Sequence, residues 1–297
     1  LPYLDDPRRL IIEHPAAFTF VTTPQPLPAP VVGAALSQGS ILLTIEPLAA
    51  DLRELRAYAD REATFANVAD VPDLVAMPGW ASAADPMSVL ETPLSLAWQA
   101  FFAAADCSLL SRLYEAWRFI VRECRMPESI DASLAVAGAP PETDRRASTG
   151  NLTAHGRWSH AAGVTLQLSD GSSPSDDAPK ARAAEPAFDA TMEIRPCDRF
   201  VHAVGQGGRL RVTNDDYQLF DPAGKLIDRS APGALPPGFA ELVVTAFDAL
   251  LRRPPQADAR AIHHAASALA CCQATLLSAR TGQPEDPAQL LHVGGWS

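Results

Sequence analysis

The sequence lacks the features of a metal-binding, disulfide-bonded or membrane protein. It has five cysteines in 297 residues, and no Cys-x-x-Cys pair or zinc-ligand spacing, so buried or free thiols are expected. No apolar run approaches the roughly 18 residues of a membrane span, and the N-terminus shows no signal-peptide pattern. We therefore expect no metal, no membrane contact and a cytoplasmic location.

Positive charge is also scarce. The 24 basic residues are outnumbered by 35 acidic ones, which gives a formal net charge of -11. Nucleic-acid binding needs a basic face, so this balance argues against a nucleic-acid partner.

Several nucleotide-binding and hydrolase signatures are absent as well. The sequence has no P-loop, no Gly-x-Ser-x-Gly elbow and no His-Glu-x-x-His. A Gly-x-Gly-x-x-Gly turn is missing too, and the similar string Gly205-Gln206-Gly207-Gly208 falls between two predicted strands. A dinucleotide-binding turn precedes a helix, so this string is interpreted as a simple turn.

Alternating strands and helices open the chain. Apolar runs predict strands at 17–22, Ile41–Thr44 and Ala63–Val68, with helices at 29–38 and 51–62 between them. Strand–helix repeats at this spacing predict parallel βαβ units. Residues 1–68 are therefore expected to form a partial Rossmann-like nucleotide-binding domain that lacks the glycine-rich phosphate turn.

Residues 69–297 are expected to form an α+β domain with a large, mainly antiparallel open sheet, because short turns join most of its strands. Helices are predicted at 85–105, 107–125, Phe239–Leu251 and Ala259–Arg280. The predicted strands are Ile130–Ala137, Leu152–Trp158, Val164–Leu168, Phe188–Arg195, Phe200–Val204, Leu210–Thr213 and Tyr217–Phe220.

Four motifs in a fixed order carry a resemblance to a known family. Val21-Thr22-Thr23-Pro24 ends a strand, and Ala34-Ala35-Leu36-Ser37-Gln38-Gly39 ends a helix. Leu43-Thr44-Ile45-Glu46-Pro47 follows the next strand, and Ser278-Ala279-Arg280-Thr281-Gly282 ends the last long helix. Over nearly its whole length the chain resembles the Gfo/Idh/MocA family of NAD(P)-dependent sugar and inositol oxidoreductases.

The resemblance implies that the chemical positions have changed. Aligned on Pro47, the family lysine of a Glu-Lys-Pro loop is replaced by Glu46, and a carboxylate cannot stabilise a developing alkoxide. The family Asp and the His four residues later are replaced by Ser111 and Glu115. Glu46 and Glu115 are thus the implied, degenerate catalytic positions. The positions implied to contact a cofactor, if one binds, are Thr23, Pro24, Glu46 and Pro47.

A substrate cleft and a subunit interface are also expected. Ser111, Arg157, Trp158 and His160 are hypothesised to line a cleft for a sugar-like molecule, with structural packing as the alternative. In the family the open sheet often packs against another subunit. The resemblance therefore implies a homo- or hetero-oligomer through residues of about 130–220.

Three functional hypotheses follow. The first is a catalytically inactive homologue without a cofactor, acting as a structural or regulatory subunit. The second is a working dehydrogenase of a sugar, inositol or related polyol, which uses NAD or NADP and takes its phosphate turn from a segment outside this chain. The third is a cofactor-free carbohydrate-binding protein or lyase that uses the two glutamates.

Overall fold

The protein is described by a computed structural model. The residues that it describes are 7–21, 29–44, 47–60, 68–70, 79, 83, 88–90, 93–102, 108–136, 150–159, 163–170, 197–214, 216–230, 244, 248, 252 and 259–296.

The first part of the chain forms a three-stranded parallel sheet in the order β1-β2-β3, as the βαβ pattern predicts. Its elements are α1 (Pro7–Glu13), β1 (Phe18–Val21), α2 (Ala29–Ser37), β2 (Ile41–Thr44), α3 (Leu52–Ala59) and β3 (Val68–Asp70). Helix α2 is followed by Gly39, whose φ of +75° favours glycine. The domain boundary at residue 68 stays a prediction.

Helix α3 is defined by its cap and its apolar stripe. Asp51 caps the helix by accepting a hydrogen bond from the Glu54 N–H at 2.8 Å, and the Glu54 carboxylate accepts one from Ala50 N at 2.8 Å. This reciprocal pair satisfies N–H groups that have no partner within the helix. Leu52 and Leu55 recur at helical spacing and are buried, so the helix packs by one face.

The second part is built on an eight-stranded sheet in the order β11-β10-β9-β8-β4-β7-β6-β5. Its strands are β4 (Pro93–Phe102), β5 (Ser129–Ala135), β6 (Asn151–Arg157), β7 (Gly163–Ser169), β8 (Cys197–Gly205), β9 (Gly208–Thr213), β10 (Tyr217–Phe220) and β11 (Leu226–Arg229). Neighbouring strands are antiparallel except for β4 and β7, which run parallel. The expected mainly antiparallel sheet is confirmed.

The helix predicted over 85–105 is wrong for the described residues 93–102. They form β4, which lies between β8 and β7 in the middle of the sheet. Leu96 and Trp98 are buried, whereas Ser95 and Phe101 on the opposite phase are exposed. This period of two marks a strand, and it overrides the helix propensity of the surrounding alanines.

Smaller differences concern element boundaries. The described third strand is β3 at Val68–Asp70, which begins at the last residue of the predicted Ala63–Val68 strand, and residues 63–67 lie outside the described residues. Strand β11 and a last short helix, α6 (Pro287–Val293), were not predicted. The strand predicted at Phe188–Arg195 and most of the helix predicted at Phe239–Leu251 lie outside the described residues.

Helices α4 (Leu109–Cys124) and α5 (Ala259–Thr281) cover one face of the large sheet. The Phe119 ring of α4 packs against Trp98 of β4 with ring centroids 5.4 Å apart. Between the helices, Trp117 Nε1 donates to Thr275 Oγ1 at 2.9 Å, and Ser278 Oγ accepts from Ala132 N of β5 at 3.0 Å. These two hydrogen bonds satisfy buried polar groups where the helices meet each other and the sheet.

The opposite side of the sheet is exposed to solvent and is called the open face from here on. Strand alternation places the outward residues there, and they include Phe101, His155, Arg157, Gln167, His202, Val204, Arg209 and Arg211.

The C-terminal segment Glu285–Trp296 links the two sheets. Glu285 exchanges two backbone hydrogen bonds of 2.9 Å with Ile130 of β5. Eleven residues further on, Trp296 Nε1 donates to the Leu52 carbonyl of α3 at 3.2 Å, and the Arg56 guanidinium lies 5.5 Å from the Trp296 ring centroid. This segment therefore fastens the edge of the large sheet to α3.

Replacing Trp296 tests this link. The side chain is only 7% exposed, so Trp296→Ala is expected to cost about 3–5 kcal/mol of unfolding free energy. Trp296→Phe keeps the ring but removes the donor, and about 1 kcal/mol is expected. Val293→Ala, at a position 68% exposed, serves as the control. Urea unfolding measures all three, and wild-type stability in Trp296→Ala would contradict the link.

Candidate functional site

The candidate site begins at the N-terminus of α4. Ser108 caps the helix, with its Oγ accepting a hydrogen bond from Ser111 N at 3.0 Å. Leu110 and Leu113 are buried and turn this side of the helix toward the sheet. Ser111, which is 3% exposed, and Glu115 are one helical turn apart, so both lie on the same side of α4.

Glu115 is held between two buried arginines. Its Oε2 lies 2.5 Å from Arg112 Nη1 and 3.2 Å from Arg199 Nη2, and its Oε1 lies 2.8 Å from Arg199 Nε. The side chains are 4%, 9% and 7% exposed for Arg112, Glu115 and Arg199. These three residues are called the Arg–Glu–Arg cluster. Because Arg199 belongs to β8, the cluster fastens α4 to the sheet.

The cluster limits what Glu115 does chemically. A general base must reach a substrate proton within about 3 Å and accept it, but both oxygens of this carboxylate contact guanidinium groups. Arg112 Nη2 also lies 3.5 Å from Ser111 Oγ, so Ser111 adjoins the same group of charges. The geometry suits a structural counterion, and a catalytic role for Glu115 stays a prediction.

Sequence reasoning missed both arginines, although each left a signal. Arg112 precedes Glu115 by three residues, a spacing that brings side chains together on a helix. Arg199 shares the inward phase of β8 with Val201 and Ala203, all of which are buried. An arginine on the buried phase of a strand indicates a carboxylate partner in the core.

The other predicted site residues are only partly described. Thr23, Pro24, Glu46 and His160 lie outside the described residues, and Pro47 is buried. That Glu46 and Glu115 face one cleft therefore stays a prediction.

Arg157 does not join Ser111 in one cleft, whereas a shared cleft of Trp158 and Ser111 stays a prediction. Arg157 is exposed on the open face, where its Nη2 lies 3.9 Å from the Asp131 carboxylate. Trp158 is half-buried just after β6, and its Nε1 donates to the Met126 carbonyl at 3.0 Å. Ser111 lies on the covered side of the sheet, so Arg157 and Ser111 are on opposite faces.

The string Gly205–Gly208 is a turn between β8 and β9, as interpreted from the sequence. A Cβ on Gly205 would lie 2.2 Å from the Leu90 carbonyl oxygen, and one on Gly207 would lie 2.0 Å from that of Val89. Close packing of the backbone therefore requires these glycines. A strand follows the string instead of a helix, so it does not offer the N–H groups on which NAD phosphates rest. It is the only Gly-x-Gly string in the sequence, and its turn between two strands does not fit the phosphates of a dinucleotide.

The described part of the chain holds neither a candidate metal site nor a cysteine with a lowered thiol pKa. Within it, no group of three or more His, Cys, Asp or Glu side chains is placed to hold a metal ion. Burial raises the pKa of Cys271 and Cys272, and burial together with Glu123 raises the pKa of Cys124 to about 11. Such thiols are poor nucleophiles at neutral pH. Among the described helices, none is both long and apolar enough to cross a membrane.

Removing the Glu115 charge tests the structural role of the cluster. Glu115→Gln leaves the buried Arg199 guanidinium without its carboxylate, and we expect a loss of about 3–5 kcal/mol in the free energy of unfolding. Glu123→Gln is the control, because its ion pair with Arg122 is partly exposed and is worth less than about 1 kcal/mol. Equal urea midpoints for the two variants would show that the cluster is not structural.

A second pair of variants tests the packing account of the glycine string. Gly205→Ala places a methyl group against the Leu90 backbone, and a destabilisation of about 1–3 kcal/mol is expected. Gly163→Ala in β7 meets nothing within 4 Å, so its unfolding free energy should stay within about 0.5 kcal/mol of wild type. Thermal or urea unfolding compares the two, and a stable Gly205→Ala protein would contradict the account.

Comparison with known proteins gives the fold a wider context. No family model matches the sequence, and neither does any curated protein. Solved structures do match. An NAD-binding oxidoreductase from Klebsiella pneumoniae is 12% identical, with a TM-score of 0.65 over 95% of this chain and 83% of its own. An oxidoreductase from Thermotoga maritima is 13% identical, with a TM-score of 0.64 over 97% and 83%.

Levoglucosan dehydrogenase in its apo form is also similar, at 12% identity and a TM-score of 0.66 over 95% of this chain and 83% of its own. Identities this low establish the fold alone. These neighbours are NAD-binding oxidoreductases of the Gfo/Idh/MocA type. The chain has their fold over nearly its full length, as the sequence resemblance implies.

Proposed function

We propose that this chain is a catalytically inactive relative of these oxidoreductases that works as a structural or regulatory subunit and binds no cofactor. The observation that carries the proposal is the Arg–Glu–Arg cluster. The resemblance implies that the reaction in the family uses the positions of Ser111 and Glu115. Here Glu115 fastens α4 to β8, and Ser111 contacts Arg112 of the same cluster.

The chemistry of hydride transfer supports this proposal. Oxidation of a hydroxyl group needs a base for its proton and a positive group for the developing alkoxide. The Ser111 hydroxyl is a poor base at neutral pH, and both Glu115 oxygens are bound by arginine. Neither residue offers the proton acceptor that a histidine would supply at this place.

The open face is suited to a subunit interface, and we place the subunit contact there. Phe101 is 52% exposed and packs edge-on against Phe200, with ring centroids 6.4 Å apart. The described open-face positions include aromatic residues and arginines but no lysine or glutamate, which is the composition of interface cores. At strand spacing of about 4.8 Å the face measures about 35 by 20 Å. That area, roughly 700 Å², approaches the roughly 800 Å² per partner of a standard interface.

The alternative is a working NAD(P)-dependent dehydrogenase of a sugar, inositol or related polyol. The observation that favours it is the fold shared with NAD-binding oxidoreductases and with levoglucosan dehydrogenase. It requires the phosphate-binding turn to come from outside this chain, and Glu46 or Glu115 to serve as base. A cofactor-free lyase would likewise need Glu115 to reach a substrate proton, but both of its carboxylate oxygens contact arginine.

Titration of the purified chain with NADH and with NADPH separates the first two proposals. Nicotinamide fluorescence is followed as the nucleotide concentration rises. An inactive subunit is expected to show no saturable binding up to about 1 mM, a concentration that detects sites with a binding free energy of at least about 4 kcal/mol. Saturation at micromolar nucleotide would overturn the proposal in favour of the dehydrogenase.

The same variants then decide the role of Glu115. If the chain oxidises a sugar or polyol with either nucleotide, Glu115→Gln is compared with Glu123→Gln at matched folded concentration. Loss of turnover in the first variant alone would assign Glu115 as the base. The proposed structural role predicts no turnover in wild type or in either variant.

A further inference from the structure

The open face carries a surplus of positive charge on an acidic protein. Its described positions hold four arginines and two aspartates, whereas the chain as a whole has a net charge of -11. The arginines are Arg157, Arg209, Arg211 and Arg229, and the aspartates are Asp131 and Asp198. Only Arg157 lies near one of these aspartates, 3.9 Å from Asp131.

The other three arginines form one patch at the β9–β11 side of the face. Arg211 and Arg229 flank Gln218 in the same cross-strand row. Arg209 lies opposite Phe220, with its guanidinium 5.8 Å from the ring centroid. Arg209, Arg211 and Arg229 are all exposed and are called the arginine patch.

The surroundings of the patch leave its charge unbalanced. In the described ranges, no carboxylate lies within ion-pairing distance of any of the three arginines. On the next strand, His202 lies opposite Arg211, and burial together with the Arg211 charge lowers the pKa of His202. The chain as a whole has 35 acidic residues against 24 basic ones, so the described part of this face differs in charge from the protein as a whole.

A second copy of this face does not complement the patch. Two stacked open faces would bring together eight arginines and four aspartates, twice the four and two described on each. This surplus is the same for every orientation of the two sheets. Like charges brought together at an interface are costly. The acidic outer surface of another copy would make a head-to-tail contact, which does not close into a symmetric dimer.

Single-stranded nucleic acid is disfavoured for a different reason. Arginines and exposed aromatic rings on a sheet suit base stacking, but the net charge of -11 repels a phosphate backbone at longer range. A partner protein can carry its carboxylates on the docking side alone. The acidic remainder of this chain therefore repels such a partner less than it repels a nucleic acid.

We propose that the open face docks a different protein with an acidic surface, whose carboxylates are bound by Arg209, Arg211 and Arg229. Phe101, Phe200 and Val204 form the apolar centre of the contact, and the patch forms its charged border, an arrangement common to specific interfaces. This inference rests on the proposed subunit role and names the chemistry of the partner.

Fluorescence anisotropy with labelled poly-L-glutamate tests carboxylate binding by the patch. Wild type is expected to bind the probe at low salt and to weaken as salt rises. The triple variant Arg209→Gln, Arg211→Gln, Arg229→Gln should bind at least about tenfold more weakly, a change of about 1.4 kcal/mol. The control Arg53→Gln, Arg252→Gln, Arg280→Gln removes three exposed arginines outside the sheet and keeps the same net charge. Equal weakening in both triple variants, or no binding by wild type, would overturn the proposal.

Sedimentation and a nucleic-acid probe exclude the other occupants. Wild type is expected to stay monomeric up to about 100 µM, where a dimer of ordinary affinity is formed. A dimer that Phe101→Asp disperses would overturn the proposal in favour of a second copy. A thymidine oligonucleotide that binds more tightly than poly-L-glutamate, and is lost in the patch variant, would overturn it in favour of nucleic acid. Nucleotide binding in the NADH titration would instead overturn the subunit role while leaving the patch result intact.

Discussion

The attraction between one buried carboxylate and two buried arginines is the constraint on which the covered side of the molecule depends. Glu115 satisfies Arg199 inside the sheet, and Arg199 in turn holds α4 against β8. Charges in a protein interior are stable only when they are paired with good geometry, so none of the three residues is replaceable alone. The position that the family resemblance assigns to proton transfer is thereby used for assembly of the core.

The two faces of the large sheet therefore have different roles. The covered face is filled by α4 and α5, which are joined by the hydrogen bond between Trp117 and Thr275, and an ion pair joins α4 to the sheet. The open face keeps aromatic rings and arginines in contact with solvent, although burying the rings elsewhere would stabilise the fold. We therefore look for function on the open face, where these side chains are available to a partner.

The sequence predicted the parallel sheet of the first part of the chain and the mainly antiparallel sheet of the second, because apolar periodicity and short turns are local signals. It failed at β4, where Leu96 and Trp98 alternate with small and polar residues inside an alanine-rich stretch. The positions of Ser111 and Glu115 were inferred from the resemblance, but the arginines around Glu115 were not. Arg199 is 84 residues from Glu115, and a contact of that range becomes visible only when the sheet is assembled.

A double-mutant cycle between Glu115 and Arg199 measures the central interaction most directly. The free energies of unfolding of wild type, Glu115→Gln, Arg199→Gln and the double variant give the coupling between the two side chains. We predict a coupling of at least about 2 kcal/mol. The double variant should therefore lose less free energy of unfolding than the two single variants lose together. A coupling near zero would contradict the structural role of the pair and would return Glu115 to the candidates for proton transfer.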